Sequence, residues 1–329
     1  MRGFSNKFNS FPEYILDITH EIWEQRGVAS LHEYYAPEIV VRSPASIVVG
    51  NQSVISATMS TLAEFPDREL LGEDVIWSGD PDSGMLSSHR ILTTATHLGD
   101  GVYGKATGTR LTYRVLADCH AKANQIDDEW LIRDQGAIVR QMGWDVTDYA
   151  RELIASEGGP EACVKPLTPS TDLKGPYKGR GNDNEWGTRY AEILTRIMEA
   201  DVPIIKDAYD RAAQVEYPGG VTGHGWDAAE RFWMGLRAAF PSARFEIHHQ
   251  IGRNDPDMPP RAALRWSLTG RHDGWGAFGK PSGAEVYLLG ISHAEFGSVR
   301  PGVVKLRREW TLFDETAIWK QILLQTGAV

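Results

Sequence analysis

The sequence predicts an α+β protein built from two copies of one small domain in tandem, each a bent antiparallel sheet with helices packed on one face. The length of 329 residues suits two domains of roughly 150 residues each. Residues of the first half recur about 175 positions later, as Arg90 and Arg265 do. Each half opens with helical periodicity and continues with segments rich in β-branched and aromatic residues, which predict strands.

The first element of each copy is an amphipathic helix, because apolar residues recur there at intervals of three and four. The stripe consists of Ile15, Ile18 and Ile22 in the first copy and of Tyr190, Ile193 and Ile197 in the second. A short helix and a strand follow, and a second helix ends at Phe65-Pro66 and again at Phe240-Pro241. Proline cannot continue a helix, so both copies stop at the same place.

About four strands complete each copy, and their turns match in detail. The spacing His-x-Gly-x-Gly-x-aromatic-Gly-Lys starts at His97 and starts again at His272. The last strand carries Glu-Trp followed by Asp four residues after the Trp, at Trp130 and Asp134 and at Trp310 and Asp314. Glycine and proline are frequent over residues 151–182, which predicts a linker between domains at 1–150 and 183–329.

Composition excludes several functional classes. A formal net charge of −10 without a basic stripe argues against a nucleic-acid partner. No apolar run reaches the ~20 residues of a membrane span, and the N-terminus lacks a secretory signal, so we expect a cytoplasmic protein with no membrane partner. The two cysteines, Cys119 and Cys163, have no metal or disulfide spacing. The adjacent histidines His248 and His249 would face opposite sides of a strand, so we expect no metal site.

The matched motifs resemble the SnoaL-like polyketide cyclase branch of the nuclear transport factor 2-like superfamily. The resemblance rests on Phe65 to Asp67, the strand from Arg90 to His97 with its glycine-rich turn, and the ending at residues 128–135 with Gln141-Met142-Gly143. It implies cone-shaped domains and assigns the family's acid/base aspartate to Asp134 and Asp314. Two family motifs are altered at what is the cavity rim in relatives, which concerns the substrate. The fold supports many reactions, so the resemblance leaves the chemistry open.

The candidate catalytic residues are aspartates and histidines of the strands. Four residues separate each Asp from its Trp, so within one strand both would share a face, and an interior Asp would have a raised pKa suited to proton transfer. The alternative is an Asp that caps or forms a salt bridge at the strand end. Hairpin pairing would place a histidine beside each Asp, and the glycine turns add two more, which either orient substrate or make structural hydrogen bonds. These histidines are His120, His293, His97 and His272.

Candidate substrate-binding residues come from aromatic and arginine positions. Arg90 and Arg265 would supply a fixed donor if they point inward, or pair with sheet carboxylates if they point outward. Aromatic candidates are Trp130, Trp310, Trp226, Tyr35 and Tyr209, for which a core position is the alternative.

Taken together, the sequence predicts a cofactor-free enzyme that moves a proton on a small, apolar, carbonyl-containing molecule, as a cyclase, isomerase or dehydratase does. The alternative is a hydrophobic small-molecule binding protein without turnover. The second copy is the preferred active half because it has more histidines and an additional Trp275. Relatives of this fold pair through the outer sheet face, so we expect the two copies to form an internal pseudo-dimer, with a further homodimer as an option.

Overall fold

The computed structural model describes residues 1–328, which form two compact α+β units of the same design. The first unit comprises residues 1–145 and 167–179, and the second comprises 146–166 and the chain from 180 onward. The predicted linker is therefore divided between the units. Its first part begins within α5 (Val146–Ser156), whose buried residues Tyr149 and Ile154 pack in the second unit.

The first unit has the helices and strands that the sequence predicts, with an additional short hairpin. Its helices are α1 (Phe11–Thr19), α2 (Leu31–Tyr34), α3 (Asn51–Glu64) and α4 (Gln135–Gln141), with a π-helical turn at His20–Glu24 and a 3-10 turn at Val28–Ser30. Its strands are β1 (Tyr35–Ser43), β2 (Ser46–Val49), β3 (Glu69–Asp80), β4 (Gly84–Thr96), β5 (Arg110–Lys122) and β6 (Gln125–Arg133).

The six strands form one sheet in the order β2-β1-β6-β5-β4-β3. The sheet is antiparallel, as the sequence predicts, except in one pairing, where β1 runs parallel to β6. Parallel neighbours require a long crossover, and strands β2 to β5 all lie between these two in sequence. Bulges interrupt the pairings of β3 with β4 and of β5 with β6, and bulges bend a sheet. The sheet curves around α1 and α3.

The second unit repeats this arrangement. Its helices are α5, α6 (Glu185–Met198), α7 (Ile204–Ala208), α8 (Gly225–Ala239) and α9 (Glu315–Thr326). Its strands are β7 (Tyr209–Tyr217), β8 (Val221–His224), β9 (Arg244–Arg253), β10 (Arg261–Arg271), β11 (Glu285–Arg300) and β12 (Val303–Leu312). The order β8-β7-β12-β11-β10-β9 is that of the first unit, and β7 is parallel to β12.

The predicted apolar stripes lie in the two cores. Ile15, Ile18 and Ile22 are buried in the first unit, and Tyr190, Ile193 and Ile197 are buried in the second. None of the helices in the described part of the chain combines the length and the apolar character that crossing a bilayer requires.

The glycine spacing that the two turns share follows from a close approach between each turn and the preceding helix. A Cβ atom at Gly99 would collide with the backbone oxygen of Ala63, and one at Gly274 would collide with that of Ala238. The side chain of Glu64 accepts a hydrogen bond from the Tyr103 N–H at 2.9 Å. The turn therefore packs closely on the end of α3, and its glycines have a structural role.

Candidate functional site

The first unit contains a cavity of about 180 Å³ between the concave face of its sheet and the helices α1 and α3. Most of the wall is apolar. Its apolar lining residues are Ile15, Ile18, Trp23, Val41, Val48, Val54, Ala57, Leu70, Ile91, Val115, Ala117, Cys119, Ile126 and Leu131. A concave apolar space with a few polar side chains is typical of a small-molecule site.

Glu129 is the carboxyl group of this cavity. It lies on β6 opposite Cys119 of β5, and only 6% of its surface is exposed. Burial raises the pKa of Glu129 to about 7, while a hydrogen bond from the Tyr35 hydroxyl opposes the rise. A carboxyl group with this pKa exchanges its proton near neutral pH, which is the property of a general acid or base.

His89 is the imidazole of the cavity, two strands away from Glu129. Burial lowers the pKa of His89 to about 4, so its ring is uncharged at neutral pH. The Ser87 hydroxyl lies 3.2 Å from Nδ1 and helps to fix the ring. Neighbouring strands are ~4.8 Å apart, and residue 89 is in line with Leu131 rather than Glu129, so the backbones at residues 89 and 129 are separated by about 12 Å. A small molecule can therefore lie between a neutral imidazole and a carboxyl group.

Arg68 and Arg133 line the end of the cavity toward which β6 runs. Arg68 is buried in the segment before β3, and Arg133 is the last residue of β6. Burial lowers the pKa of Arg68, partly offset by Tyr113. The cavity thus has a carboxyl group near its middle and a cationic end.

The same interior is filled in the second unit. Thr58 lies eight residues after Gly50, and Trp233 lies eight residues after Gly225, so the two occupy equivalent positions on α3 and α8. Ala57 is likewise replaced by Phe232, and Ser43 at the end of β1 by Tyr217 at the end of β7. The rings of Tyr217 and Phe232 stack with centroids 3.6 Å apart, and Trp233 is fully buried.

Glu309 is the second unit's counterpart of Glu129, and its carboxylate is surrounded by hydrogen-bond donors. Three tyrosine hydroxyls donate to its carboxylate, from Tyr190 at 2.8 Å, Tyr209 at 2.7 Å and Tyr217 at 2.6 Å. The indole N–H of Trp233 adds a contact at 3.3 Å. A buried carboxylate with four donors is a satisfied structural group. The preference for the second copy as the active half is therefore not supported by its interior.

Asp134 and Asp314 do not lie in strands, contrary to the sequence-based interpretation. Asp134 is the N-cap of α4 and accepts a hydrogen bond from the Ala137 N–H at 3.0 Å. Asp314 is the N-cap of α9 and accepts from the Thr316 N–H at 2.8 Å. Burial raises the pKa of Asp314 to about 6 despite these bonds. Both side chains have the geometry of the capping alternative.

The paired tryptophans lie on the face of the sheet opposite the cavity. Trp130 neighbours Glu129 in β6, and successive side chains of a strand face opposite sides. Its ring stacks under the Arg42 guanidinium, 4.5 Å from the ring centroid. Trp310 lies opposite His293 and alternates in the same way with Glu309. The sequence-based interpretation placed the two tryptophans on the interior face of the sheet. The residues on that face are instead their neighbours, Glu129 and Glu309.

His97 and His272 hold the glycine turns. Nδ1 of His97 lies 3.1 Å from the Thr107 hydroxyl, and Nδ1 of His272 lies 3.0 Å from the Ser282 hydroxyl. The ring of His97 also packs on Phe65 with centroids 5.5 Å apart. These contacts agree with the structural alternative and leave both rings outside the cavity lining.

His120 and His293 are not equivalent, although both precede alanine. Arg90 lies opposite Leu116 and Arg265 opposite Ile291, which makes His120 the counterpart of Glu295. Nδ1 of His120 lies 2.6 Å from Asp127 on the outer side of the sheet. The expected pairing of these histidines with Asp134 and Asp314 is wrong, because the aspartates lie beyond the ends of the strands.

Arg90 and Arg265 also face away from the interior. The neighbour of Arg90 in β4 is the cavity residue His89, so Arg90 points to the other side, where its Nε donates to Glu73 at 3.0 Å. Arg265 alternates in the same way with the core residue Trp266. Both therefore face outward, and Arg90 also has the carboxylate partner of the outward alternative.

Among the predicted substrate-binding residues, Tyr35 alone lines the cavity. Its counterpart Tyr209 donates to Glu309, and Trp226 donates its indole N–H to the Tyr209 carbonyl at 3.0 Å. Sequence reasoning missed Glu129, His89, Arg68 and Arg133. Glu129 could have been found, because it recurs as Glu309 beside each matched Trp.

Comparisons with known proteins agree with the resemblance found in the sequence. The family model described as a SnoaL-like domain matches residues 188–298, which lie in the second unit. No match to the sequence is found among curated proteins.

Solved structures similar to this chain include three proteins assigned as polyketide cyclases. IdmH from Streptomyces antibioticus is 20% identical with a TM-score of 0.36, over 41% of this chain and 99% of its own. A protein from Acidithiobacillus ferrooxidans is 19% identical with a TM-score of 0.34, over 40% and 92%. A SnoaL-like protein from Jannaschia sp. is 16% identical with a TM-score of 0.34, over 43% and 96%.

Proposed function

We propose that the first unit is the active one, because it contains the apolar cavity and repeats the topology of the unit whose residues 188–298 match the SnoaL-like family model. Its cavity binds a small, largely apolar carbonyl compound and moves a proton on it without a cofactor. Glu129 is the acid/base group. The observation that carries the proposal is a carboxyl group with a pKa of about 7 inside an apolar cavity.

The chemistry follows from the groups around the cavity. Ionised Glu129 removes a proton from the carbon next to the carbonyl, and the electron pair of the C–H bond moves to the carbonyl oxygen to form an enolate. His89 is uncharged, so an N–H of its ring can donate a hydrogen bond to that oxygen without being titrated. Return of the proton from Glu129 to another carbon gives isomerisation. Transfer of that proton to a β-hydroxyl, which leaves as water, gives dehydration. Attack of the enolate carbon on a second carbonyl, whose oxygen takes the proton, gives ring closure.

Glu129 takes the role that the sequence assigned to the two aspartates. Asp134 and Asp314 hold helix N-termini, whereas Glu129 borders free space. An apolar cavity of about 150 Å³ accommodates benzene, so a cavity of about 180 Å³ suits a compound of one or two rings.

Proton transfer is tested by deuterium incorporation, which detects the first step regardless of the later reaction. The protein is incubated in D₂O with 1-indanone or 2-tetralone, and deuterium at the carbon next to the carbonyl is measured by NMR. We expect exchange above the buffer rate in the wild type and its loss in Glu129→Gln. Glu309→Gln is the matched control and keeps the exchange, provided that its first unit remains folded.

The alternative is a binding protein without turnover. It would be favoured if the ketones bound in the cavity but exchanged at the buffer rate. The internal pairing of the two copies and a further homodimer stay predictions, which sedimentation velocity and cross-linking would test. Cytoplasmic location likewise stays a prediction.

A further inference from the structure

The cationic end of the cavity contains a buried guanidinium without a counter-charge. Arg68 is 6% exposed and lines the cavity together with Arg133. Within residues 1–328, Arg68 forms no ion pair, and its Nε, which is shielded from solvent, has no hydrogen-bond partner. A buried charge is costly unless it is paired. The positive charge of Arg68 therefore has no counter-charge, and its Nε–H has no acceptor, within the described residues.

Two uncharged groups lie near this end of the cavity but are not among its lining residues. The Tyr113 hydroxyl interacts with Arg68, and Tyr113 lies opposite Thr93 in the pairing of β5 with β4. Thr93 is fully buried, and its hydroxyl also lacks a partner. One guanidinium donor and one hydroxyl thus stay unsatisfied in the same part of the interior.

The second unit shows that the fold does not require these polar groups. The counterpart of Arg68 is Ala243, which also precedes the third strand, and the counterpart of Arg133 is Phe313, which also precedes the capping Asp. The paired residues Thr93 and Tyr113 correspond to the paired residues Leu268 and Leu288. In the second unit these polar groups are replaced by apolar side chains, and large aromatic side chains occupy the equivalent interior.

We infer that the Arg68 and Arg133 end of the cavity binds a carboxylate, so that the substrate is an apolar carbonyl compound that also carries a carboxylic acid. This inference rests on the proposed function and adds a substrate class to it. A planar carboxylate matches the guanidinium fork of Arg68. The Nε–H of Arg68, which has no partner in the free protein, is then paired in the complex.

The strand geometry separates the carboxylate from the reacting carbon. Glu129, Leu131 and Arg133 face the cavity from one strand, and four residues span ~13 Å between the outer two backbone positions. The carboxylate and the carbonyl group therefore lie at opposite ends of an apolar body.

The experiment compares matched ligands by isothermal titration calorimetry with the full chain. The probes are 2-naphthoate, methyl 2-naphthoate and 2-naphthamide, which share one apolar body and differ in charge. We expect the wild type to bind the acid about ten-fold tighter than the ester or the amide. Arg68→Met should remove this preference and leave ester binding within about two-fold of the wild type. Arg110→Met, at an exposed position where β5 begins, should behave as the wild type.

The inference is overturned if the acid does not bind, if the ester binds as tightly as the acid, or if Arg68→Met keeps the preference. Thermal unfolding gives an independent readout. Removal of an unpaired buried charge should leave the unfolding temperature unchanged or raise it, whereas a structural arginine would leave a less stable protein.

Failure of the proposed function is recognised separately. Preferential binding of the acid together with unchanged deuterium exchange in Glu129→Gln would reject the acid/base role and keep the carboxylate site. Loss of exchange in Glu129→Gln without any preference for the acid would keep the acid/base role and reject the carboxylate site.

Discussion

Glu129 and Glu309 occupy the same place in the two units, but Glu129 lines a cavity whereas Glu309 is enclosed by four hydrogen-bond donors. Glu129 lies on β6 opposite Cys119, and Glu309 lies on β12 opposite Ala294. Three tyrosine hydroxyls surround Glu309, whereas Glu129 has one such partner, Tyr35, and lines a cavity. One fold thus holds the same carboxyl group either as a structural centre or as a titratable group in reach of a ligand.

The first prediction concerns the dependence of stability on pH. The pKa of Glu129 is about 7 in the folded protein, above its usual value of 4.5, so folding favours the protonated form. The stabilisation is present below pH 4.5 and is lost as the pH rises to 7, by about 3 kcal/mol. In Glu129→Gln this loss should be absent. Urea unfolding of both proteins at pH 5 and pH 8 measures it, and equal pH dependence would contradict the assigned pKa.

The position of Glu129 illustrates what the sequence could predict. The repeat identified both copies, the helical stripes and the final strand, because these features follow from periodicity and turn residues. The expectation that alternate residues of the last strand face opposite sides of the sheet was also correct. The interior side was chosen wrongly, because Trp130 packs under Arg42 on the outer face, and neither the alternation nor the motif indicates which face is concave.

Tertiary packing decided the remaining differences. Asp134 follows the strand directly and begins a short helix, so a boundary shift of one residue changed a predicted base into a cap. The open copy could have been recognised from the sequence, since Thr58 and Ala57 correspond to the much larger Trp233 and Phe232. The buried arginines could not, because their depth depends on strands that are distant in sequence.

The second prediction concerns Tyr35→Phe. The Tyr35 hydroxyl lowers the pKa of Glu129, so its removal should raise that pKa and move the midpoint of deuterium exchange to higher pH, on the order of one pH unit. Tyr209→Phe is the matched control in the second unit. It should leave the midpoint unchanged and destabilise its unit by about 1–3 kcal/mol, because Glu309 loses a donor. A downward shift in Tyr35→Phe would contradict the role of the hydroxyl.

The third prediction concerns Thr58→Trp, which introduces the residue of the second unit into the first. The indole should occupy the cavity and abolish binding of 2-tetralone, as measured by calorimetry, while the first unit remains folded. Retained binding would place the ligand site outside this cavity. Thr112→Trp, at an exposed position on β5, serves as the control and should bind normally.

The reciprocal change tests the filled interior. Trp233→Ala removes a fully buried ring that also contacts Glu309, so we expect a loss of about 3–5 kcal/mol in the second unit's free energy of unfolding. A loss below about 1 kcal/mol would show that the indole is not packed as described.

The fourth prediction separates a cap from a base at Asp134. Asparagine caps a helix nearly as well as aspartate, whereas alanine does not, so Asp134→Asn should keep most of the stability and Asp134→Ala should lose about 1 kcal/mol. Neither change should reduce deuterium exchange per folded molecule, because the proton-transfer group is Glu129. A catalytic base would give the opposite order, since asparagine cannot accept the proton. Loss of exchange in the well-folded Asp134→Asn protein would therefore return the acid/base role to the aspartate.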